Sequence, residues 1–267
     1  MKRRDRFAAS FKLPELTYRV WKVWQRDFDV FMKTWKVNFF PPLLEPIFYL
    51  VALGYGLGGF VSNIEGLPYI QFIAPALVAI SVMNSSFFEC TYGSFVRMYY
   101  QKTFDGIITT PINVEEVIAG ELLWGATRSL VSSTIVLGVV AAFGLISSPL
   151  FILIPPIAFL GGLMFSSIGM CFTAIAPNID FFNYPGFLFI TPMFLLSNTF
   201  FPFSRFPPAL QTFALAVLPL VHQVTLTRGL MLGNLESLLL LSIIWIAAVT
   251  IFFFILSINL MKRRLIK

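Results

Sequence analysis

The sequence predicts an all-α polytopic membrane protein. It would have six transmembrane helices, an N-terminal amphipathic helix in the membrane interface, and short re-entrant helices between spans five and six. Three observations predict this class. Of 267 residues, 57% are hydrophobic and 12% charged, whereas a soluble domain carries about 25% charged residues. Apolar runs of about 20 residues recur, the length a helix needs to cross a bilayer; a membrane β-barrel would show short alternating segments instead. The cations gather at the two ends: Lys2, Arg3, Arg4, Arg6, Lys12, Arg19, Lys22, Arg26, Lys33 and Lys36 before the first run, and Lys262, Arg263, Arg264 and Lys267 after the last. Clusters that flank apolar runs report topology rather than nucleic-acid binding, and by the positive-inside rule both termini face the cytoplasm. The number of spans is then even.

Pro14 to Trp35 alternates apolar and basic residues at helical spacing. Leu16, Val20, Val23, Trp24, Phe28, Phe31 and Trp35 share one side, and Arg19, Lys22, Arg26 and Lys33 fall mostly on another. This predicts a helix lying in the inner interface, with aromatics at headgroup depth and cations toward anionic lipid. Its role is anchoring, alone or together with contact to a partner. The N-terminus is charged for too long before its first apolar run to read as a cleavable signal peptide.

Span one is expected at about Phe39 to Phe60. Pro41, Pro42 and Pro46 lie in its first turns, where missing N–H groups cost least, and Glu45 is near the cytoplasmic end. Gly54, Gly56, Gly58 and Gly59 permit close helix approach. After an outer loop, Ser62 to Pro68, span two covers about Tyr69 to Phe95. Its latter half carries Asn84, Ser85, Ser86, Glu89, Thr91, Tyr92 and Ser94, a face that must meet protein or water. Glu89 either lines a gate or, the favoured reading, pairs with a cation such as Arg128.

Between spans two and three lies Arg97 to Glu121, RMYYQKTFDGIITTPINVEEVIAGE, with both signs of charge. It reads as a short surface helix, a turn at Thr110-Pro111 and a capped helix start. Asn113 supplies the cap and Glu116 the capping-box carboxylate, with Glu115 and Glu116 at the positive end of the helix dipole. Its shape suits a docking surface for a cytoplasmic partner. Span three runs from about Val117 to Ile146, with Glu121, Gly125, Arg128 and Ser132 on one face, a charged stripe that needs an interior partner. Ser147-Ser148-Pro149 makes an outer turn, and span four covers Leu150 to Ala176, with packing positions at Gly161, Gly162, Ser166 and Gly169. Span five is Phe182 to about Ser197. Asn198 to Gly233, broken by Pro202, Pro207, Pro208 and Pro219, suits a pair of helices dipping into the outer leaflet. Span six is about Leu235 to Leu260.

No catalytic constellation is visible. His222 is the single histidine and has no nearby Asp, Glu or Cys in sequence; a structural role is expected. Cys90 and Cys171 read as small buried hydrophobes rather than a disulfide or metal pair. No G-x-x-x-x-G-K-[ST] phosphate loop occurs, so the chain is not expected to hydrolyse ATP itself.

The runs YGSFVRMYYQKTFDGIITTPINVEEVIAGELLWGATRS and APNIDFFNYPGFLFITPMFLLSNTFFPFSRFPPALQ resemble the inner loop with third helix, and the fifth helix with outer re-entrant segment, of the type-2 ABC permease family (ABC-2 membrane domain). The likeness is greatest to the NodJ-like branch of lipo-oligosaccharide exporter permeases, and it extends over nearly the whole chain. Asn198 departs from the family pattern, where a small residue, usually glycine, precedes the Phe-Phe-Pro.

The resemblance implies one ABC-2 transmembrane domain over 1–267, with tail and interfacial helix at 1–38, a six-span bundle at 39–261 and a basic tail at 262–267. It implies an ATPase-coupling loop at Arg97, Tyr99, Tyr100, Gln101, Lys102, Thr103, Phe104 and Asp105, and an outer gate that includes Phe200, Phe201 and Pro202. Glu89, Glu121 and Arg128 remain as intramembrane polar residues. The implied partners are two copies of an ABC ATPase, a second permease copy in a homodimer, and membrane lipids. No cofactor is expected on this chain; ATP and Mg would sit on the ATPase. The expected function is outward export of an amphiphilic, lipid-linked, saccharide-type or drug-like substrate across the bacterial inner membrane. Two other classes are an intramembrane enzyme acting on lipid or glycolipid, using Glu89, Glu121 or His222, and a scaffold with no transport cycle.

Overall fold

The computed structural model describes residues 13–61, 63–64, 66–234 and 237–266. The cations Lys2, Arg3, Arg4, Arg6, Lys12 and Lys267, with Ser62 and the expected start of span six at Leu235, lie outside them.

Among the described residues six helices are long and apolar enough to cross a membrane: Trp35–Gly54, Tyr69–Tyr100, Val114–Ala142, Pro149–Ile175, Ile179–Leu196 and Ser237–Leu265. Between spans five and six, Pro208–Val217 and Pro219–Leu232 form a pair bent by 92°. The break falls at Leu218, whose extended backbone precedes Pro219; a residue before proline is driven out of the helical region. A two-stranded hairpin, Asn63–Ile64 against Leu67–Pro68, joins spans one and two.

Spans two, three and four pack on one another, span six lies on span four, and the second re-entrant helix wedges between spans two and six. Small residues let these helices approach: a side chain at Gly125 would meet Ser166 and Cys90, and one at Gly162 would meet Ser129. Two apolar cores result. The larger joins all six spans and the re-entrant pair; the smaller gathers Val20, Phe95, Phe104, Val117, Ile118 and Met261. The two ends of the described chain lie at that smaller core. Lys262 and the backbone N–H of Glu15 each bond the Glu115 carboxylate at the start of span three. At the far end, Ser147 and Ser148 N–H groups both donate to the Met231 carbonyl at 3.1 Å.

Several boundaries differ from the sequence reading. The amphipathic helix is Val20–Lys33 rather than starting at Pro14. Residues 13–17 are drawn out along span three, where the Glu15 carbonyl accepts from Asn113 Nδ2 at 3.3 Å. Span one begins at Trp35, just after a kink at Thr34, so Pro41, Pro42 and Pro46 sit in the helix interior rather than its first turn. Each removes a backbone donor there. Span one then continues as a π-turn, Leu50–Leu57. Span two runs through π-turns at Glu89–Gly93 and Val96–Tyr100, five residues past its expected end.

Asn198 adopts φ +57°. This left-handed region favours glycine, with Asn the best-tolerated alternative, so the departure from the family pattern keeps the backbone turn. Its Oδ1 accepts from Phe203 N–H at 3.2 Å, and its carbonyl accepts from Arg228 at 2.8 Å.

Candidate functional site

The chain reverses at the end of span two. Lys102, at φ +54°, turns it into the short helix Thr103–Ile108. Asn113 then caps span three with the complete reciprocal box: Glu116 N–H donates to Asn113 Oδ1 at 2.8 Å, and Asn113 N–H to Glu116 Oε2 at 2.9 Å. Thr17 and Arg19, preceding the amphipathic helix, bond Glu116 and the Pro111 carbonyl. The loop is thereby fixed at both flanks.

The residues expected in the loop divide into two groups. Tyr99, Tyr100, Gln101, Lys102 and Asp105 are exposed, with Thr103 half-buried. Lys102 Nζ lies 5.4 Å from the Tyr99 ring centroid, and Tyr99 stacks on buried Phe95. Phe104 is fully buried and anchors the short helix in the smaller core. Arg97 points the other way, into the protein.

Arg97 is the hub of a buried charge cluster. Its Nη2 donates to Glu121 Oε2 at 2.6 Å, its Nε to both Glu121 oxygens at 3.1 and 3.0 Å, and its Nη1 to Glu89 Oε1 at 2.8 Å. Ser94 donates to Glu121 Oε2 at 2.7 Å. Trp124 Nε1 donates to Glu89 Oε1 at 3.0 Å. The expected Glu89–Arg128 pair is present at 3.4 Å, but it is the looser of Glu89's two ion pairs. Arg128 Nη1 donates to Asn38 Oδ1 of span one at 2.7 Å. From the amphipathic helix, Arg26 pairs with Asp27 and reaches Glu121 Oε1 at 3.4 Å, and Asp27 Oδ1 lies 3.9 Å from Arg97 Nε. Four elements, the amphipathic helix and spans one, two and three, thus meet through charged and amide side chains in a medium where such bonds are strong.

Asp27, Asn38 and Trp124 were missed in the sequence. A signal for Asp27 existed: positions 20, 23, 27 and 31 form one helical stripe, and a carboxylate on an apolar stripe needs a buried partner. Asp27 is indeed buried with Val20 and Val23. Burial, then the Glu121 charge, pushes its carboxyl up to about 7, against Arg97 and Arg26, which pull it down. The docked helix therefore holds a proton that a detached helix would release, so this contribution to docking is present at low pH and lost as pH rises toward about 7. Protection of the amides across Val20–Lys33, taken relative to their intrinsic base-catalysed exchange, should be lower at pH 8 than at pH 5.5 in the wild type. In Asp27→Asn that difference should shrink; an unchanged pH response would exclude Asp27 as its source.

The polar half of span two meets both environments anticipated for it. Ser86, Thr91 and Ser94 are buried against protein. Ser81, Asn84 and Ser85 line a cavity of about 250 Å³ with Glu45, Asn38 and Arg128. Phe200, Phe201 and Pro202 lie at the far end. Phe200 packs on Phe194 and Tyr49 at 5.0 and 6.2 Å between centroids, Pro202 is buried and Phe201 exposed. His222 is also toward the far end, stacked on Trp245 at 4.3 Å and bonded to Ser242 Oγ and the Leu215 carbonyl at 3.1 and 2.9 Å. It is separated along the bundle from Glu89 and Glu121, so these groups do not assemble as an acid–base set.

The chain matches the family described as ABC-2 type transporter over residues 18–232. It is 34% identical to Nodulation protein J of Sinorhizobium fredii over 98% of each chain. It is 37% identical to Nodulation protein J of Bradyrhizobium diazoefficiens over 96% of this chain and 97% of that one. Inner membrane transport permease YadH of Escherichia coli is 23% identical over 79% of this chain and 82% of its own. No solved structure matches. A family match across most of the sequence, full-length relatives above 30% identity and six apolar helices agree: the chain belongs to the ABC-2 type transporter family, as a multi-pass membrane permease of the NodJ-like branch.

Proposed function

We propose that this permease is the membrane subunit of an outward-directed ABC exporter, with both termini cytoplasmic and the loop Tyr99 to Asp105 docked on a separate ATPase. Two permease copies and two ATPases form the working unit. Nucleotide binding closes the ATPases, and their movement drives alternating access in the paired bundles.

The observation that carries this reading is the division within the loop. Tyr99, Tyr100, Gln101, Lys102 and Asp105 offer an exposed polar and aromatic surface, while Phe104 and Arg97 tie its stem into the bundle. A partner gripping the exposed group acts on spans two and three and the amphipathic helix through Arg97, Glu121 and Asp27. The cargo is an amphiphile, in keeping with the mixed polar and apolar cavity beside Glu45 and Arg128. Phe200, Phe201 and Pro202 contribute to the gate at the far end.

The test is recruitment. Co-expressed with its ATPase, the chain should carry that subunit into the membrane fraction. Lys102→Glu combined with Asp105→Lys should lower the co-purified ATPase about tenfold, the effect of losing one or two charge-assisted contacts, without changing permease yield. Undiminished recruitment and transport by that variant would place docking elsewhere.

A further inference from the structure

We propose that the pocket between the amphipathic helix and spans one to three binds one anionic phospholipid, its phosphate held by Arg128 and Arg26 and an acyl chain lying along Phe31, Trp35, Phe39 and Ile135. The site does not depend on the loop's docking an ATPase.

Two cavities of different character meet here. One, of about 520 Å³, is lined by the cations Arg26, Arg97 and Arg128 and by the carboxylates Asp27 and Glu89, a surplus of one positive charge. Its volume is within the usual range for a small-ligand site. The second, of about 240 Å³, is apolar, lined by Phe31, Met32, Trp35, Phe39, Val131 and Ile135. A narrow space shares Phe31 and Arg128 with the first and Phe31, Val131 and Ile135 with the second. A polar chamber continuous with a greasy trough has the outline of an amphiphile. The exposed Trp35 and Phe39 leave the trough open at the protein's surface.

The balance of hydrogen-bond donors favours an anion. Arg97 is fully used by Glu121, Glu89 and Ser94. Arg26 gives only Nη2, to Asp27 and Glu121; its Nε and Nη1 are shielded from solvent and have no partner among the described residues. Arg128 directs Nη1 to Asn38 and Nε toward Glu89, and no protein acceptor among the described residues takes its Nη2. Its guanidinium carbon sits 5.2 Å from the Phe31 ring centroid, at the mouth of the trough. Unmet guanidinium donors lining a partly enclosed cavity call for charged oxygens, and a phosphate supplies them. Basic pockets between membrane helices bind anionic headgroups for this reason. The free donors and the apolar trough lie side by side, which selects a lipid over a soluble anion.

The full chain, exchanged into phosphatidylcholine nanodiscs doped with phosphatidylglycerol and then released into detergent, can be read by native mass spectrometry. Wild type should retain phosphatidylglycerol over phosphatidylcholine. Arg128→Gln and Arg26→Gln should each lower that retention about tenfold, as loss of a charge-assisted bond predicts. Lys33→Gln, an equal charge change at an exposed position of the same helix, should not. Ile135→Trp fills the trough while keeping both arginines and should also lower retention, which keeps the test decisive if an arginine variant folds poorly. Equal retention of phosphatidylcholine by the wild type, or wild-type retention by both Arg128→Gln and Ile135→Trp, overturns the site. Displacement of the lipid by glycerol phosphate at comparable concentration overturns the lipid assignment in favour of a soluble anion.

Discussion

Arg97→Gln is expected to lose about 3–5 kcal/mol of stability, the range for breaking a buried ion pair from one side. Glu121 has no solvent exposure, and both its oxygens accept from Arg97. Gln in that place leaves the carboxylate with Ser94 and a long contact to Arg26. Glu89 fares better, because Trp124 and Arg128 remain. Thermal unfolding in detergent should shift down by roughly 10 °C. Pairing Arg97→Met with Glu121→Met removes both charges together and should recover much of the loss, since an apolar pair needs no compensation. Under the proposed function, transport by that double variant should stay impaired, because the link from loop to span three is gone. An Arg97→Gln chain that melts with the wild type would show that the cluster does not hold this end of the bundle together.

Gly120→Leu should detach the amphipathic helix while sparing the rest of the bundle. A Cβ at Gly120 would stand 2.5 Å from Val23 Cβ and 3.1 Å from the Val20 carbonyl oxygen. The second contact is backbone, so the helix must lift rather than rotate a side chain. Overpacking of this kind costs about 1–3 kcal/mol. The larger core, built from the six spans and the re-entrant pair, contains no residue of that helix, so the melting transition should persist. Hydrogen exchange across Val20–Lys33 should rise sharply, and under the proposed function nucleotide-driven transport should fall. Gly120→Ala with Val23→Gly removes the Val23 Cβ that the added methyl would meet and should restore part of the protection. If exchange in Gly120→Leu stays at the wild-type level, the helix is held by its charges and not by this contact.

The spans were legible because apolar length is local information, present in any window of 20 residues. The cap at Asn113 was equally local, a pattern of two residues three apart. What failed was the end of span two. Arg97 was read as loop because a cation after an apolar run normally marks the membrane boundary. Its partner, Glu121, is 24 residues away across a helix hairpin, and nothing short-range announces that pairing. Asp27 was missed for a related reason: it was assigned to neither face, although its position belongs to the apolar stripe. The Glu89–Arg128 contact was recoverable because a charge inside an apolar run must be compensated, but proximity along the fold, not necessity, decided that Arg97 would be the nearer cation. The three prolines of span one were placed correctly in the chain and wrongly in the helix, since Trp35 and Lys36 extend it backward past Phe39.

The Glu115 carboxylate is claimed both by Glu15, 100 positions before it, and by Lys262, 147 positions after it. During synthesis the first claim can be met once span three has emerged, while the second must wait until span six has inserted. That late clasp checks the direction of span six: a polypeptide in which this helix enters upside down would leave Lys262 at the opposite end of the bundle from Glu115.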